Sequence, residues 1–220
     1  TGLSPTADRI IEIGAVKLAE GEIVGELSIL CDPGVPLKPK ITEITGITDL
    51  MLMGKESPAS GIGKLLDFIG DAAIAAHNAP FDVGFLQAEC GRMGVSFHAP
   101  VLDTLVFARR LYPSLRSYKL GALCRYLGVS LKNAHRAVHD AAATAKCLTA
   151  MFAQAQRLGA HNLLEIDNAV AGESMSDTHH IIILCKTQQG MQNLNRLISD
   201  GHLYYFHRHP NMPRHLIEQH

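Results

Sequence analysis

The stretch that decides the fold is His77-Asn78-Ala79-Pro80-Phe81-Asp82. It follows a short apolar run, Ala72–Ala76, with the composition of a buried strand, and it leads into Asp82–Gly91, which has the pattern of a helix. Ligands commonly bind where strand ends meet helix starts in an α/β sheet. We therefore expect Asp82 to point into a cleft at the strand ends, with Pro80 fixing the turn and Phe81 supplying an apolar face. The alternative is that Asp82 only caps the helix.

The segments on both sides of this stretch predict a mixed α/β chain. Arg9–Leu18 and Glu22–Cys31 have the composition of two strands joined by Ala19-Glu20-Gly21, which is typical of a hairpin. Ile41–Thr48 is expected to form a short helix or a turn. Further helices are predicted at Ile62–Gly70, Asp103–Leu111, Leu120–Leu127 and His139–Arg157. Beyond the polar stretch Gly172–Asp177, we expect a strand at His180–Lys186 and a helix at Gln189–Ser199.

A second polar cluster, His135-Arg136-Ala137-Val138-His139-Asp140, begins the longest predicted helix. The step from His135 to Asp140 crosses from a loop into a helix, so an imidazole and a carboxylate can face one site. Histidine can act as a general base near neutral pH, and aspartate can hold a hard divalent cation. A structural histidine is the alternative. His135 and His139 also have the spacing of two zinc ligands, but no HExxH glutamate is present and the nearby acids suit an oxygen-bound metal better.

Asp103 offers a further acidic position. It precedes Thr104 at the start of a predicted helix, directly after the short segment Val101-Leu102. Capping of the helix explains an aspartate at such a place. An indirect role beside a metal site is the other interpretation.

Composition limits the classes of protein that remain. Of 220 residues, 47% are hydrophobic and 19% charged, which argues against disorder, and no apolar run approaches the ~18 residues of a membrane span. A net charge of −1 argues against coating nucleic acid through a large basic surface, but not against an enzyme that holds a few phosphates through metal ions. The five cysteines are scattered without a CxxC pair, which favours reduced thiols in the cytoplasm over a disulfide scaffold or a zinc ribbon.

Taken together, the motifs resemble the DEDDh 3′→5′ exonucleases, the proofreading nucleases related to the ε subunit of bacterial DNA polymerase III. The resemblance covers about residues 1–157 and depends on five stretches in order. They are Thr1-Gly2-Leu3, Ile44-Thr45-Gly46-Ile47, His77–Asp82, Asp103-Thr104 and His135–Asp140. The resemblance implies a ribonuclease-H-like α/β fold, in which a mixed central sheet is flanked by helices.

The resemblance also implies a site with two divalent cations, Mg²⁺ or Mn²⁺, held in part by Asp82 and Asp140. His135 would take the proton from the attacking water, and Asp103 would support the site. The residues that would bind the DNA 3′ end are Thr1, Gly2, Leu3, Ile44, Thr45, Asn78 and Phe81. The family's first motif, D-x-E-T-T-G-L, would begin before Thr1. Its metal-binding Asp and Glu and the first strand are therefore absent, and we expect the chain as given to bind metal poorly and to be close to inactive.

The tail carries a second resemblance. Thr178–Lys186 and Tyr204-Tyr205-Phe206-x-Arg208-x-Pro210 resemble the PHP domain of bacterial replicative polymerase α subunits. An exonuclease that runs into PHP sequence is similar to the Gram-positive-type DNA polymerase III α subunit. The implied organisation is an exonuclease domain at 1–157, a linker at 158–177 and a PHP fragment at 178–220.

The same resemblance implies the partners and the place of action. They are a DNA 3′ end, the rest of the polymerase chain, and the sliding clamp and replisome, with no membrane, in the cytoplasm. Two alternatives remain open. One is a stand-alone DEDDh RNase or oligoribonuclease, and the other is a non-catalytic DNA-binding module.

Overall fold

The computed structural model describes residues 1–131, 136–160, 183, 185–203, 206, 207, 209, 210 and 217. The chain divides into two compact units, Thr1–Ser174 and Met175–His220. The domain and linker boundaries expected from the sequence, at 157/158 and 177/178, stay predictions.

A tight hairpin begins the secondary structure of the first unit. Its strands, β1 (Glu12–Ala19) and β2 (Glu22–Leu30), are antiparallel, with Ala19 opposite Glu22. The two turn residues, Glu20 and Gly21, both have positive φ, at 53° and 85°. Such turns match the right-handed twist of the strands that they join. The predicted hairpin is confirmed, although β1 begins later than the predicted Arg9.

Two short parallel strands organise the chain around the His77–Asp82 stretch. They are β3 (Ile74–Ala76) and β4 (Val101–Asp103), and Ala76 lies opposite Asp103. Because parallel strands end at the same edge, this pairing brings the residues after β3 close to the end of β4. The strand expected at Ala72–Ala76 is confirmed over its last part.

The described strands do not join into one sheet, which corrects the expectation of a mixed central sheet. Among these strands, β1 pairs with β2 and β3 pairs with β4, with no ladder between the two pairs. A continuous sheet needs a strand paired along both edges, and no described strand lies between the hairpin and the parallel pair.

Seven helices of the first unit lie in the described part of the chain, and they confirm those expected from the sequence. They are α1 (Pro39–Thr45), α2 (Asp49–Leu52), α3 (Pro58–Ile69), α4 (Ala79–Arg92), α5 (Thr104–Leu111), α6 (Leu120–Leu127) and α7 (Ala137–Arg157). The short α2 is an addition, and Ile41–Thr48 proves to be helical through Thr45. No helix among the described residues combines the length and hydrophobicity needed to cross a lipid bilayer.

Three of the predicted long helices, α3, α4 and α7, begin earlier than expected, and the shifts of α4 and α7 matter for the site. α4 starts at Ala79 with Pro80 in its first turn, and α7 starts at Ala137. Proline suits the first positions of a helix because the missing N–H has no helical partner there. As a result Asp82 and Asp140 both lie in the first turn of their helices.

The long helix α7 is the central packing element of the first unit. Cys147 and Met151 pack into a fully enclosed core with Phe107 from α5 and with Leu123 and Cys124 from α6. Small residues spaced along this helix, such as Ala143 and Ala155, let its neighbours approach closely. α7 also packs against β1, β2 and β3, so it contacts both strand pairs.

The second unit contains α8 (Gln188–Leu203) and two very short antiparallel strands, β5 (Phe206–His207) and β6 (His209–Pro210). α8 confirms the helix expected at Gln189–Ser199. Of the strand expected at His180–Lys186, the residues Ile183, Cys185 and Lys186 are described and none is in a strand. The rest of that segment lies outside the described residues.

The contact between β1 and α7 gives a test of the fold. Gly14 of β1 lies against the start of α7, where an added Cβ would overlap the backbone nitrogen of Val138 and the carbonyl carbon of Ala137. We expect Gly14→Ala to lower the free energy of unfolding by at least about 2 kcal/mol, because the backbones must separate. Gly63→Ala in α3 is the matched control: nothing lies within 4 Å of its Cβ, and we expect a gain of about 0.5–1 kcal/mol. Urea unfolding measures both, and equal effects would contradict the close approach.

Candidate active site

Asp82 lies on the first turn of α4 and faces two other carboxylates. Its side chain keeps exposed surface, and Asn78 rather than Asp82 occupies the capping position, which removes the alternative of a simple helix cap. Partial withdrawal from water, followed by the negative charges of Asp103 and Asp140, raises the pKa of Asp82 to about 6. The structure therefore brings three predicted site residues into one electrostatic group.

Asp103 connects the turn before α4 to the start of α5. One of its oxygens, Oδ1, accepts the backbone N–H of Asn78 at 3.1 Å and that of Leu105 at 2.8 Å. Asn78 itself is in the left-handed region, at φ 69°, a conformation that asparagine tolerates better than most residues. The expected cap of α5 is thus confirmed, and Asp103 also supports the backbone that leads into α4. Its role beside a metal site stays a prediction.

Asp140 is positioned by a carboxylate from the hairpin. Glu12 of β1 accepts Nε–H of Arg136 at 2.8 Å and the backbone N–H of Ala137 at 3.0 Å, so it caps α7. Only 7% of the Glu12 side chain is exposed. A negative charge is favourable at a helix N-terminus, where backbone N–H groups lack helical partners. The hairpin therefore fixes the start of the helix on which Asp140 lies.

The sequence pattern did not reveal this role of Glu12. The residue appeared as one acid within the strand Arg9–Leu18. Successive side chains of a strand point to opposite faces, so an acid between the buried residues Ile11 and Ile13 is expected to face solvent. The local pattern therefore contained no signal for its partner on α7.

His135, the predicted general base, lies outside the described residues. His139, on the first turn of α7, is exposed. The hydrogen bond between Glu12 and Arg136 holds the chain at Arg136, the first described residue after His135.

The loop that contains Thr1 and Gly2 is built around Asp8. The carboxylate of Asp8 accepts hydrogen bonds from the Thr1 hydroxyl at 3.1 Å, the Ser4 backbone N–H at 3.0 Å and Lys38 Nζ at 3.2 Å. These hydrogen bonds lower the pKa of Asp8 to about 2, and the bond from the Ser4 N–H has the largest effect. Gly2 passes so close to Asp8 that a Cβ there would overlap the carboxylate. Asp8 therefore shapes this loop.

A buried ion cluster ties the same loop to α4. Glu89 is fully buried and binds Arg9 Nε at 2.8 Å and Arg92 Nη1 at 2.9 Å. Arg92 Nη2 donates to the carbonyls of Pro5 at 2.9 Å and Thr6 at 3.0 Å. The helix that carries Asp82 is thereby joined to the Thr1–Asp8 loop, a connection that the sequence analysis missed.

The predicted apolar contacts for a ligand are available at the surface. Leu3 is 78% exposed, Ile44 47% and Phe81 41%, and the Phe81 ring packs on Phe85 with centroids 5.2 Å apart. Thr45 is less free, because its hydroxyl donates to the Ile41 carbonyl at 2.8 Å and accepts the Ile47 N–H at 3.1 Å. Thr45 therefore ends α1 and leaves Ile44 exposed beside it.

The donor types at this site fit a hard divalent cation. Asp82 and Asp140 offer carboxylate oxygens, and Mg²⁺ is commonly held by one or two carboxylates, with water and substrate phosphates completing its shell. Among the residues that the structure describes, no three His, Cys, Asp or Glu side chains group closely enough to form a metal centre on their own. The described residues thus do not form a metal centre by themselves. A cation beside Asp82 would offset the negative charges of Asp103 and Asp140.

Comparison with known proteins agrees with this geometry. A family model described as Exonuclease matches residues 1–148. The chain belongs to the exonuclease family. Among curated relatives, the protein named DNA polymerase III PolC-type from Clostridium perfringens is 42% identical over 223 residues, and that from Bacillus subtilis is 37% identical over 225. Each match covers 100% of this chain but only 15% or 16% of the relative, so the chain spans about a sixth of their length.

Solved exonucleases share the fold. Exonuclease X, in complex with 5′-overhanging duplex DNA, matches with a TM-score of 0.60 and 25% identity, covering 77% of this chain and 93% of that one. E. coli Exonuclease I, in complex with a dT13 oligonucleotide, matches with a TM-score of 0.63 at 21% identity, over 76% of this chain and 43% of that one. The ribonuclease-H-like exonuclease fold expected from the sequence is thus confirmed at the level of the overall fold, although the described strands form separate pairs and not one mixed sheet.

The Glu12 cap gives a test of how the site is held. We expect Glu12→Ala to lower the free energy of unfolding by about 1.5–3 kcal/mol, because two hydrogen bonds to a buried charge disappear. Glu12→Gln should cost less, since the amide oxygen can still accept the Ala137 N–H. Glu26→Ala, an exposed glutamate on β2, should stay within about 0.5 kcal/mol. Chemical denaturation measures all three, and equal values for Glu12→Ala and Glu26→Ala would show that the cap contributes nothing.

Proposed function

We propose that this chain is the 3′→5′ proofreading exonuclease segment of a bacterial replicative DNA polymerase of the DNA polymerase III PolC type. Support comes from the exonuclease family membership over residues 1–148 and from PolC-type relatives matched along the whole chain. The observation that carries the proposal is the placement of Asp82 and Asp140 in the first turns of α4 and α7, near enough for the charge of Asp140 to act on Asp82.

The substrate is the 3′ end of a DNA strand, single-stranded or frayed from a primer. The exposed apolar side chains of Leu3, Ile44 and Phe81 suit contact with bases, because stacking and apolar contact do not depend on base identity. Thr1 and Gly2 would contact the terminal nucleotide through their backbone, since the Thr1 hydroxyl is bonded to Asp8, and Asn78 offers an exposed amide. Exonuclease X and Exonuclease I, whose fold this chain shares, were solved with DNA.

The cofactors are two divalent cations, Mg²⁺ or Mn²⁺, and Asp82 and Asp140 are the ligands that this chain contributes. When bound, such a pair stabilises the attacking and leaving oxygens of an in-line displacement at phosphorus. Asp103 keeps Asn78 and the start of α4 in place, which holds the Asp82 carboxylate toward the scissile phosphate. His135 accepts the proton of the attacking water, and the product is a nucleoside 5′-monophosphate.

The second unit is proposed as a fragment of a PHP domain, following an exonuclease domain at 1–157 and a linker at 158–177. The proposal depends on the resemblance of Thr178–Lys186 and of the segment from Tyr204 to Pro210. In the complete protein, the rest of the polymerase chain, the sliding clamp and the replisome are the partners, in the cytoplasm.

An exonuclease assay tests the proposed function. The protein is the chain together with whatever residues its gene encodes upstream of Thr1, and the substrate is a 5′-labelled DNA oligomer. We expect a ladder that shortens from the 3′ end, dependent on Mg²⁺ or Mn²⁺. Asp140→Asn should reduce the rate by about 100-fold or more, because metal ions contribute several kcal/mol to such transition states.

The control is Asp67→Asn, an exposed acid on α3, which should leave the rate unchanged. Release of the 5′-labelled mononucleotide as the first product would contradict the direction of digestion. Faster digestion of an RNA oligomer of the same sequence would favour the alternative of an RNase. An unchanged rate in Asp140→Asn would contradict the role of Asp140 as a metal ligand.

A further inference from the structure

A basic groove adjoins the turn between β3 and α4. It has a volume of about 560 Å³ and runs between the turn after β3, helix α5 and the segment that leads into α6. Its polar lining consists of His77, Asn78, Arg109, Arg116, Ser117, Tyr118 and Lys119. Asn78 belongs both to this groove and to the site, because its N–H is held by Asp103. The groove is therefore continuous with the strand ends that place Asp82.

The charge of the groove differs from that of the chain as a whole. Three cationic side chains line it, from Arg109, Arg116 and Lys119, and its lining contains no Asp or Glu, although the chain has a net charge of −1. All three residues are exposed. Within the described residues these cations form no salt bridge, and the guanidinium of Arg109 lies 5.8 Å from the centre of the Tyr118 ring. Positive charge is thus available there to an anionic ligand.

Hydrogen bonds hold the segment that carries Arg116 and Lys119 against the turn before α4 and against the end of α5. The His77 ring donates through Nε2 to the carbonyl of Tyr118 at 2.7 Å, while Nδ1 lies 3.1 Å from the Thr104 hydroxyl. The Tyr118 hydroxyl donates to the carbonyl of Tyr112 at 2.6 Å, which closes the connection between α5 and α6. A surface loop held in this way presents its charges in a fixed arrangement, which reduces the conformational entropy that binding would cost.

The chemistry of the groove matches a phosphodiester backbone. Arginine and lysine are the usual partners of phosphate oxygens, and a groove of one charge sign tracks a nucleic-acid strand without regard to sequence. The neighbouring carboxylates repel phosphates, so a strand whose end lies at Asp82 and Asp140 gains most from cations immediately beside them. An aromatic ring in the lining, Tyr118, gives one base a surface to stack on.

We propose that the groove formed by Arg109, Arg116, Tyr118 and Lys119 binds the backbone phosphates of the DNA strand whose 3′ end enters the carboxylate site. This inference depends on the proposed function for the nature of the ligand. It assigns a second binding region to the strand, distinct from the residues that hold its terminal nucleotide.

Binding of single-stranded DNA without metal tests the groove. Fluorescence anisotropy with a 5′-fluorescein dT12 oligomer, in EDTA and at several salt concentrations from about 50 to 200 mM, compares the unchanged chain with the double variant Arg116→Ala/Lys119→Ala. The matched control is Lys55→Ala/Lys146→Ala, which removes the same charge from exposed lysines elsewhere on the first unit. Circular dichroism and thermal unfolding check that each variant keeps the fold.

We expect the groove variant to bind at least about tenfold more weakly than the control variant at the lowest salt. Removing one cation that binds a phosphate should also reduce the slope of log K against log salt by about 0.7, and removing both should reduce it by about 1.4. Equal affinities and slopes for the two double variants would contradict DNA binding in the groove and would leave the proposed function intact. If the unchanged chain does not bind dT12 at all, both the groove and the proposed DNA substrate are wrong.

Discussion

The capping of α7 by Glu12 is the interaction on which the rest of the site depends. Its carboxylate joins Arg136 and the Ala137 N–H to β1, and Gly14 lets the two backbones approach two residues further along the strand. These contacts determine where α7 begins. Because Asp140 lies in the first turn of that helix, a shift at the cap would move the carboxylate relative to Asp82. The hairpin, which is distant from α4 along the chain, thus contributes to the placement of the site carboxylates.

The site combines opposite electrostatic regions that are held by different means. Partial withdrawal from water, and after it the negative charges of Asp103 and Asp140, raise the pKa of Asp82, and this environment suits a cation. The Thr1–Asp8 loop is attached to α4 through Glu89 and Arg92, where the buried charges are paired. The basic groove takes its position from His77. A negative centre with a positive groove beside it fits an end-directed enzyme on a phosphate chain, and it needs few basic residues in total.

The local patterns of the sequence were enough to predict most elements and three of the site positions. The hairpin, the helices from α3 to α7 and the first-turn placement of Asp82 follow from short-range periodicity, turn residues and proline. Contacts between distant segments were not accessible in the same way. Glu12 with Arg136 and Arg9 with Glu89 are separated by 124 and 80 residues, and nothing in either local pattern pairs them. The single mixed sheet was wrong for a related reason, since strand pairing is long-range and no described strand bridges the two pairs.

The most direct test of the account is whether Asp82 and Asp140 hold the same cation. Titration of Mn²⁺ followed by the electron paramagnetic resonance signal of the free ion measures binding, using the chain together with any residues that its gene encodes upstream of Thr1. We expect Asp82→Asn and Asp140→Asn each to weaken Mn²⁺ binding strongly, and Asp67→Asn to have no effect. Because both carboxylates would hold the same ion, the double variant should bind Mn²⁺ about as weakly as the single variant with the lower affinity. Unchanged Mn²⁺ affinity in either single variant would contradict a shared metal site between α4 and α7.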